Sequence, residues 1–333
     1  MTQQFLRQLS LVVAESNGRG LDFGSFWCKF KVRRGDMQTP NSLDARIYNI
    51  RADTANAIGK KEFTTVSLSA GYPANTGLLF QGTIRQFRIG RVNQLDSYVD
   101  ITAADGDEAY NFAPISATIP AGSAPDSVRS MIQSALAQAG GQQPITQGYT
   151  PNFVPTQLVR GRVLYGMARD EARAFANQNN CKWSIQNGAV TYIPWVSYVP
   201  GGQTPVISVA TGLIGVPEQT QSGIHIKTLL NPSIKVGQLV RLDSQINQFR
   251  YNLDIPADTN NTKIEMQNKL APNSGDQKGL YYVMVANHTG DTREQDWYTD
   301  LTCLSVDATV TNTDQANVLF NTGPVPINRF GET

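Results

Sequence analysis

The chain has 333 residues, and its 28 Lys and Arg against 27 Asp and Glu give a formal net charge of +1 at pH 7. This balance argues against a protein that grips a nucleic-acid backbone through bulk charge. The three cysteines form no Cys-x-x-Cys pair, which argues against a disulfide framework or a zinc cluster and favours a reducing compartment. The length favours two or three domains.

Hydrophobic runs in the sequence are short. The run at residues 11–14 is shorter than the core of a signal peptide, and no run is long enough for a membrane-spanning helix. We therefore expect a soluble protein that is made in the cytosol and has no stable membrane association. The 28 glycines and 17 prolines indicate many turns between short strands.

Residues 1–112 are predicted to form a β domain. At 26–33 apolar and polar residues alternate, which is the period of a half-buried strand. The apolar face of this strand would hold Phe26, Cys28, Phe30 and Val32. A short helix is predicted at 52–58, closed by Gly59. The other strands predicted in this domain lie at 45–50, 64–70, 78–89 and 98–104.

Residues 113–200 are predicted to form a small α+β insertion. Pro125 suits the first position of a helix whose apolar residues recur at helical spacing until Gly140. A second helix is predicted over Val163–Asn179. The Asn187-Gly188 pair between two alternating segments predicts a β-hairpin.

From residue 201 to 307 the pattern again predicts strands, and it repeats part of the first domain. Each copy begins with Gly-Leu, crosses a polar turn and ends in Tyr-x-Asp-x-Thr, at Tyr98–Thr102 and at Tyr298–Thr302. We predict two β domains of one kind, with Tyr98, Asp100, Tyr298 and Asp300 at equivalent positions on strands. The remaining residues, 308–333, lack periodicity and are predicted to form an extended arm.

Residues that could carry catalysis form no recognisable constellation. The segment with Asp105, Asp107 and Glu108 looks like a calcium loop, but Gly106 stands at the wrong offset and the distal Glu is missing. A solvated turn is predicted there. His225 is predicted to face solvent or an interface. We therefore predict no enzymatic activity, no cofactor and no bound metal.

Two alternatives stay open at this point. His288 lies among the turn-forming residues of NHTGDTRE, and a metal site at His288 with Asp291 is one alternative to an ordinary turn. The other is a platform of tryptophans that stacks sugars or bases, as against packing in a core or an interface. The tryptophans are Trp27, Trp183, Trp195 and Trp297.

Two stretches of the sequence resemble baseplate hub proteins of contractile-tailed bacteriophages. The C-terminal stretch is GVPEQTQSGIHIKTLLNPSIKVGQLVRLD followed by GLYYVMVANHTGDTREQDWYTDLTCLSVD, and the N-terminal one is the series ARIYNI, VSLSAGY, LLFQGTI and ITAADGD. The likeness covers most of residues 20–307. It depends on the order and combination of these segments rather than on one unusual motif.

The resemblance implies a structural virion protein of the tail baseplate. Such hubs are homotrimers between the tail tube protein and the central spike protein, and they contact peripheral baseplate or wedge proteins. Each chain would have two tail-tube-like β-barrel domains flanking the small helix-hairpin domain. Three chains would then form a ring with a channel that DNA meets only in transit, and the protein would be made and assembled in the host cytoplasm.

The resemblance also assigns structural or contact roles to particular residues. Asn231-Pro232 would interrupt strands of a barrel wall, because proline lacks the donor that a central strand needs. The turn with His288, Asp291 and Arg293, together with Trp297 and Tyr298, falls at positions that match the family.

Other classes of protein remain as alternatives. A tail-tip hydrolase of the cell wall would need a carboxylate pair in a cleft, and a glycan-binding adhesin would need exposed tryptophans. The equivalent hub of a phage-like bacteriocin or of a secretion machine is not separable from a phage hub by sequence.

Overall fold

The protein is mainly β in a computed structural model that describes residues 6–15, 20–59, 63–153, 157–195, 197–201, 203–220, 223–243, 250–251 and 279–305. Its first seven strands are β1 Gln8–Ala14, β2 Gly20–Asp22, β3 Cys28–Gly35, β4 Ser42–Tyr48, β5 Thr65–Tyr72, β6 Asn75–Arg91 and β7 Ser97–Ala104. The next five are β8 Pro114–Ile119, β9 Thr146–Gln147, β10 Arg162–Met167, β11 Cys181–Gln186 and β12 Ala189–Pro194. The last seven are β13 Val206–Ile207, β14 Leu213–Thr220, β15 Gly223–Leu229, β16 Leu239–Leu242, β17 Arg250–Tyr251, β18 Leu280–Asp291 and β19 Trp297–Ser305.

Helices are few in the described part of the chain. They are α1 Ala52–Gly59, α2 Asp107–Phe112, α3 Pro125–Gln138, α4 Ala168–Gln178 and a short 3-10 helix Val209–Thr211. Pro125 begins α3 as predicted, because the first amide of a helix has no acceptor within the helix. None of these helices has the length and apolar character needed to cross a bilayer.

One continuous sheet contains most of the strands. Its order is β17-β14-β15-β19-β18-β3-β4-β7-β6-β5-β1-β2, and β16 and β13 extend it from β18. The strands in this order form an open path, so the two closed tail-tube-like barrels predicted from the sequence are not confirmed in the described residues. The coarser prediction, a mainly β protein with few helices, is confirmed.

Two groups of four strands in this sheet have the same pairing order. We call β3, β4, β7 and β6 the first unit, and β14, β15, β19 and β18 the second unit. In each unit the first two strands form a hairpin, and the second strand of that hairpin (β4 or β15) pairs with the last strand of the unit (β7 or β19). That last strand pairs in turn with the long strand (β6 or β18). The units are joined edge to edge because β18 pairs antiparallel with β3, from Val285 opposite Gly35 to Asp291 opposite Lys29.

Alternation along the strands separates a buried face from a polar face, as period-2 patterning requires. On β3 the buried residues Cys28, Phe30 and Val32 alternate with more exposed cations, as the sequence predicts. The first unit packs its buried face into one core, and the second unit has a core of its own around Ile224, Val283 and Leu301.

The insertion packs its helices α3 and α4 against small sheets. Its core holds large side chains such as Trp183, Phe175 and Tyr192. The hairpin of β11 and β12 turns at Asn187-Gly188, and Asn187 has a φ of 52° and Gly188 a φ of 78°, as a two-residue turn of this type needs. This part of the sequence prediction is confirmed.

The second predicted helix is wrong at its start. Residues 162–167 form β10, which pairs with β8 from Arg162 opposite Ile119 to Met167 opposite Pro114. Leu164 is fully buried in this strand, and Gly166 has a φ of 129°, which interrupts helical continuity. The helix α4 therefore begins at Ala168.

Candidate functional site

The polar face of the continuous sheet is the candidate site, because it spans both units and carries charged side chains from each of them. A cavity of about 520 Å³ lies on it and is lined by five adjacent strands, β18, β3, β4, β7 and β6. Its lining includes Lys31, Arg46, Gln86, Asp100 and Thr289.

Arg46 and Asp100 form the central pair of this face in the first unit. They lie opposite each other on β4 and β7, and the guanidinium binds the carboxylate through both oxygens, with Nε–Oδ1 at 2.6 Å and Nη2–Oδ2 at 2.8 Å. The hydrogen bonds to Asp100 raise the pKa of Arg46, so this side chain stays charged. The Arg46 guanidinium also lies 4.0 Å from the ring centroid of Tyr98.

The second unit repeats this arrangement with a different cation. Lys227 on β15 lies opposite Asp300 on β19, and its Nζ is 3.7 Å from the ring centroid of Tyr298. Tyr98 and Asp100 thus have structural counterparts in Tyr298 and Asp300. The repeat that the sequence predicts at Tyr-x-Asp-x-Thr is present in strand position and in the contact with a cation.

Several charges on the polar face are paired locally. Arg33 Nη1 lies 2.8 Å from Asp44 Oδ2, and Thr102 Oγ1 donates to the other oxygen of that carboxylate at 3.1 Å. Lys29 Nζ lies 2.7 Å from Glu294 and 3.1 Å from Asp291, and the bond to Glu294 contributes most to raising the pKa of Lys29 to about 12. On this face Arg33 and Lys29, like Arg46, are therefore each compensated by a nearby carboxylate.

Asp291 organises the turn that follows β18. Its Oδ1 accepts hydrogen bonds from the amides of Arg293 and Glu294 at 2.8 and 2.9 Å and from Trp27 Nε1 at 2.9 Å. Burial acts to raise the pKa of Asp291, but these bonds and the one from Lys29 outweigh it and lower that pKa. Asp291 therefore serves as the acceptor of a structural turn.

His288 belongs to the core and not to the turn that the sequence suggested. It lies within β18, is 1% exposed, and its Nδ1 is 2.9 Å from Thr299 Oγ1. Burial, together with the charge of Arg34, lowers its pKa to about 3. Among the described residues no group of three or more potential ligands is placed to hold a metal ion, which leaves the His288–Asp291 alternative without a donor set.

The other predicted contact residues join the two halves of the chain. Asn231 Oδ1 accepts from Asn75 Nδ2 at 2.8 Å, and Pro232 packs against Gly77 of β6, where an added Cβ would lie 3.2 Å from the proline ring. Trp297 is buried and meets Phe30 edge to face at 5.6 Å. The Arg293 guanidinium lies 5.8 Å from the Trp27 ring centroid.

A buried carboxylate that the sequence placed in a solvated turn anchors the insertion instead. Asp105 is fully buried at the end of β7, and it accepts hydrogen bonds from Gln143 Nε2 and from the Gly188 amide, both at 2.8 Å. Asn187 and Asn41 donate to its second oxygen. The solvated-turn prediction was wrong because these donors come from residues far along the chain.

A second carboxylate ties the insertion to both units. Asp36 Oδ2, just after β3, accepts from Lys182 Nζ at 2.6 Å and from the Tyr282 hydroxyl at 2.9 Å. Burial raises the pKa of Tyr282, so this hydroxyl remains a donor. Because Lys182 lies on β11 and Tyr282 on β18, the three parts of the chain meet at one oxygen.

Part of the chain is similar in sequence to a known protein family. Residues 198–250 match the family model described as Baseplate hub gp41, a segment that contains β14 and β15. No curated protein has a sequence that matches the chain.

The solved structures that match nearly the whole chain include two tail proteins. One is the tail protein from Neisseria meningitidis MC58, with 10% identity, a TM-score of 0.54, and coverage of 90% of this chain and 97% of that one. The other is the 43 kDa tail protein of prophage MuSo2 from Shewanella oneidensis, with 6% identity, a TM-score of 0.55, and coverage of 97% and 100%. At these identities the likeness concerns the fold. Together with the family model, it confirms the resemblance to baseplate hub proteins.

Proposed function

We propose that this chain is a structural virion protein that forms the central baseplate hub, joins the tail tube to the central spike, and leaves a channel for DNA. The observation that carries the proposal is the pair of similar four-stranded units, joined edge to edge through β18 and β3 with their polar residues on one face. Two such units per chain suit a homotrimer that presents six similar units to a six-fold tail tube.

The polar face is proposed to line the channel. DNA in transit is held back by cations that bind its phosphates, and retention grows with the number of such contacts. On this face Arg46, Arg33 and Lys29 are each paired with a carboxylate. Lys31, Arg88 and Lys227 have no ion pair among the described residues. Local pairing would therefore reduce the number of cations that are free to retain a passing phosphate backbone.

The insertion is proposed to lie on the outer side of the ring. Arg34 lies on the same face of β3 as the buried residues Cys28, Phe30 and Val32, and it donates from Nη2 to Gln186 Oε1 at 3.0 Å. The insertion therefore contacts the sheet from the side away from the polar face. There it would be available to peripheral baseplate or wedge proteins.

The proposed organisation keeps the predicted boundaries. Residues 1–112 and 201–307 are the tube-like β domains, and 113–200 are the insertion. The arm at 308–333 lies outside the described residues, and the proposal assigns it no contact. The virion is the proposed location, after synthesis and assembly in the host cytoplasm.

Imaging of assembled particles tests this proposal. A small tag on the chain should appear at the tail axis, between tube and spike, in three copies per particle. Another copy number, or a tag at the tail periphery, would contradict the hub assignment. Hydrolysis of peptidoglycan by the pure chain that a single Asp or Glu substitution abolishes would contradict a purely structural role.

A further inference from the structure

The strand β18 changes its neighbour part of the way along its length. On the side away from β19, residues 280–282 pair with β16 and residues 285–291 pair with β3. The register of β18 against β19 shifts between Val283 and Val285, so an irregularity lies where the two neighbours meet. We call the contact of residues 285–291 with β3 the seam, because it joins the two units. Its first pair is Val285 opposite Gly35.

Asp36 closes the seam at this end. Its amide donates to the Met284 carbonyl at 3.0 Å, which continues the pairing of β3 with β18 by one hydrogen bond. Its Oδ2 accepts a hydrogen bond from the Tyr282 hydroxyl at 2.9 Å. Asp36 therefore binds β18 through the residue in the irregularity and through a residue before it. The side chain of Asp36 is 5% exposed, so its charge depends on protein partners for stabilisation.

Lys182 on β11 of the insertion supplies the cation for this carboxylate. Its Nζ lies 2.6 Å from Asp36 Oδ2 and 4.8 Å from the centroid of the Tyr282 ring. Asp36 has no other ion pair in the part of the chain that the structure describes. The charge at the end of the seam is therefore balanced by a residue that belongs to neither unit.

The insertion contacts both sides of the seam near this carboxylate. On the side of the first unit, Asn41 Nδ2 donates to the Ile185 carbonyl on β11 at 3.0 Å. On the side of the second unit, Ile193 packs in a small apolar cluster with Tyr282 of β18. Ile193 lies opposite Lys182 in the hairpin of β11 and β12. The hairpin of the insertion therefore spans the end of the seam.

We propose that Lys182, Asp36 and Tyr282 form a latch through which the insertion keeps the seam closed. Without the ammonium group of Lys182, a buried carboxylate retains a hydroxyl donor but no cation, and removal of one partner from a buried ion pair is strongly destabilising. Movement of the Asp36 side chain into water would restore its solvation and would break its bonds to Tyr282 and Met284. The seam should therefore open from this end.

The other end of the seam has an ion pair of its own. Lys29 Nζ lies 3.1 Å from Asp291 Oδ2, so strand pairing should persist there when the latch is released. Release of the latch is therefore expected to open residues 283–287 locally and to leave the rest of the sheet folded. A partner that displaced the insertion would open the seam by the same route. The inference goes beyond the proposed function, and no step of it depends on the hub assignment.

Hydrogen exchange of the purified full-length chain tests the latch. Lys182→Met keeps the length of the side chain and removes its charge. We expect the amides of residues 283–287 to exchange roughly tenfold faster, while those of 289–291 and of β4 change by less than about twofold. The matched control is Arg160→Met, which removes an exposed cation of the insertion and should alter none of these amides.

Two further variants separate the charge of Lys182 from the packing of its stem. Lys182→Arg keeps the charge, and exchange at residues 283–287 should stay within about threefold of the wild type. Tyr282→Phe keeps the ring but removes the hydroxyl, and it should accelerate exchange of the same amides. Because Lys182 and Tyr282 donate to one oxygen, Lys182→Met combined with Tyr282→Phe should accelerate exchange by less than the product of the two single effects.

Each outcome supports or overturns the latch. Unchanged exchange at residues 283–287 in Lys182→Met would overturn it, and so would an equal acceleration in β4, which would indicate unfolding of the whole sheet. Independent effects in the double variant would also overturn it. If Lys182→Met does not fold, Tyr282→Phe decides, and unchanged exchange at 283–287 in that variant would overturn the latch. The copy number at the tail axis tests the hub assignment separately.

Discussion

The two units have the same strand order but different surroundings. The first unit continues from β7 into Asp105, which is fully buried and holds the insertion, and its β6–β7 tip exposes Val92. In the second unit the tip after β18 is bound by other parts of the chain, through Trp27 and Arg7. The repeated strands therefore define the sheet, while residues that are not repeated decide what each unit contacts.

The polar faces of the two units likewise share an arrangement but differ in the side chains that form it. Both place a cation over a tyrosine and opposite an aspartate. Arg46 in the first unit adds two parallel hydrogen bonds to Asp100, a geometry that the planar guanidinium permits and the ammonium of Lys227 does not. A shared position thus tolerates two cations with different geometry.

The largest loss of stability is expected from a change of Asp105, which anchors the insertion to the first unit. Asp105→Ala removes the acceptor for Gln143, Gly188 and Asn187 and leaves buried donors without a partner. The free energy of unfolding should fall by about 3–5 kcal/mol, measured by denaturant titration. Asp53→Ala, whose side chain is 87% exposed, should change it by less than about 0.5 kcal/mol. A loss below about 1 kcal/mol for Asp105→Ala would show that the cluster does not anchor the insertion.

The long strands of the two units should differ in how they affect stability in acid, because β18 carries the buried His288. His288 has a pKa of about 3 in the folded protein because it is buried, whereas an unfolded histidine titrates near its ordinary value. Between these values the unfolded state binds more protons, so stability is lost as pH falls. From pH 7 to pH 5 this histidine should lower the free energy of unfolding by about 2 kcal/mol.

Exchange with the equivalent residue of the first unit tests this assignment. Ile89 of β6 lies opposite Val99 as His288 lies opposite Thr299, so the two positions are equivalent. His288→Ile places the residue type of Ile89 at position 288, and it should remove most of the stability loss between pH 7 and pH 5, whatever its effect at pH 7. His225→Gln alters an exposed histidine and should keep the loss. An acid response that is the same in His288→Ile as in the wild type would assign it to other groups.

The binding of the second tip by Arg7 should have an intermediate effect. Arg7 donates from Nη1 to the Asp291 carbonyl at 2.7 Å and from Nη2 to the Gln295 carbonyl at 2.9 Å, and it lies over the Trp297 ring. Arg7→Ala should lower the free energy of unfolding by about 1–2 kcal/mol and speed hydrogen exchange at residues 292–295. Arg51→Ala, at an arginine that is 85% exposed, should do neither. Unchanged exchange in Arg7→Ala would mean that the tip is ordered without it.

The smallest effect is expected when the polar faces are made alike. Arg46→Lys gives the first unit the cation of the second and breaks the two-point contact with Asp100. The side chains of this pair are 38% and 29% exposed, so the loss should be about 0.5–1 kcal/mol and should shrink at high salt. A double-mutant cycle with Asp100→Asn, at low and high salt, measures it. A coupling energy that does not depend on salt would contradict a solvent-screened pair.

Some features of the site could be predicted from the sequence and others could not. The equivalence of Tyr98 with Tyr298, and of Asp100 with Asp300, was visible as a repeated spacing. Arg46 and Lys227 were not identified, because their segments share no motif and their equivalence depends on pairing with β7 and β19. His288 was placed in a turn, since the letters around it are turn formers, yet pairing with both β19 and β3 keeps it in a strand.

The sequence by itself determined the elements whose signals are local. Alternation fixed the buried face of β3, Pro125 fixed the start of α3, and Asn187-Gly188 fixed the hairpin turn. These signals suffice because side-chain period, proline geometry and turn conformation depend on neighbouring residues.

Only the tertiary structure decided which edges meet and which charges are buried. β18 pairs with β3 across some 250 residues of sequence, and no local pattern selects that partner. Asp105 looked like a surface residue until Gln143 and Gly188 supplied its hydrogen bonds. Residues 162–167 had an apolar spacing compatible with a helix, and the open edge of β8 made them a strand instead. In each case the deciding energy comes from groups that folding brings together, and a carboxylate or a strand edge is stable in the interior only once those partners are in place.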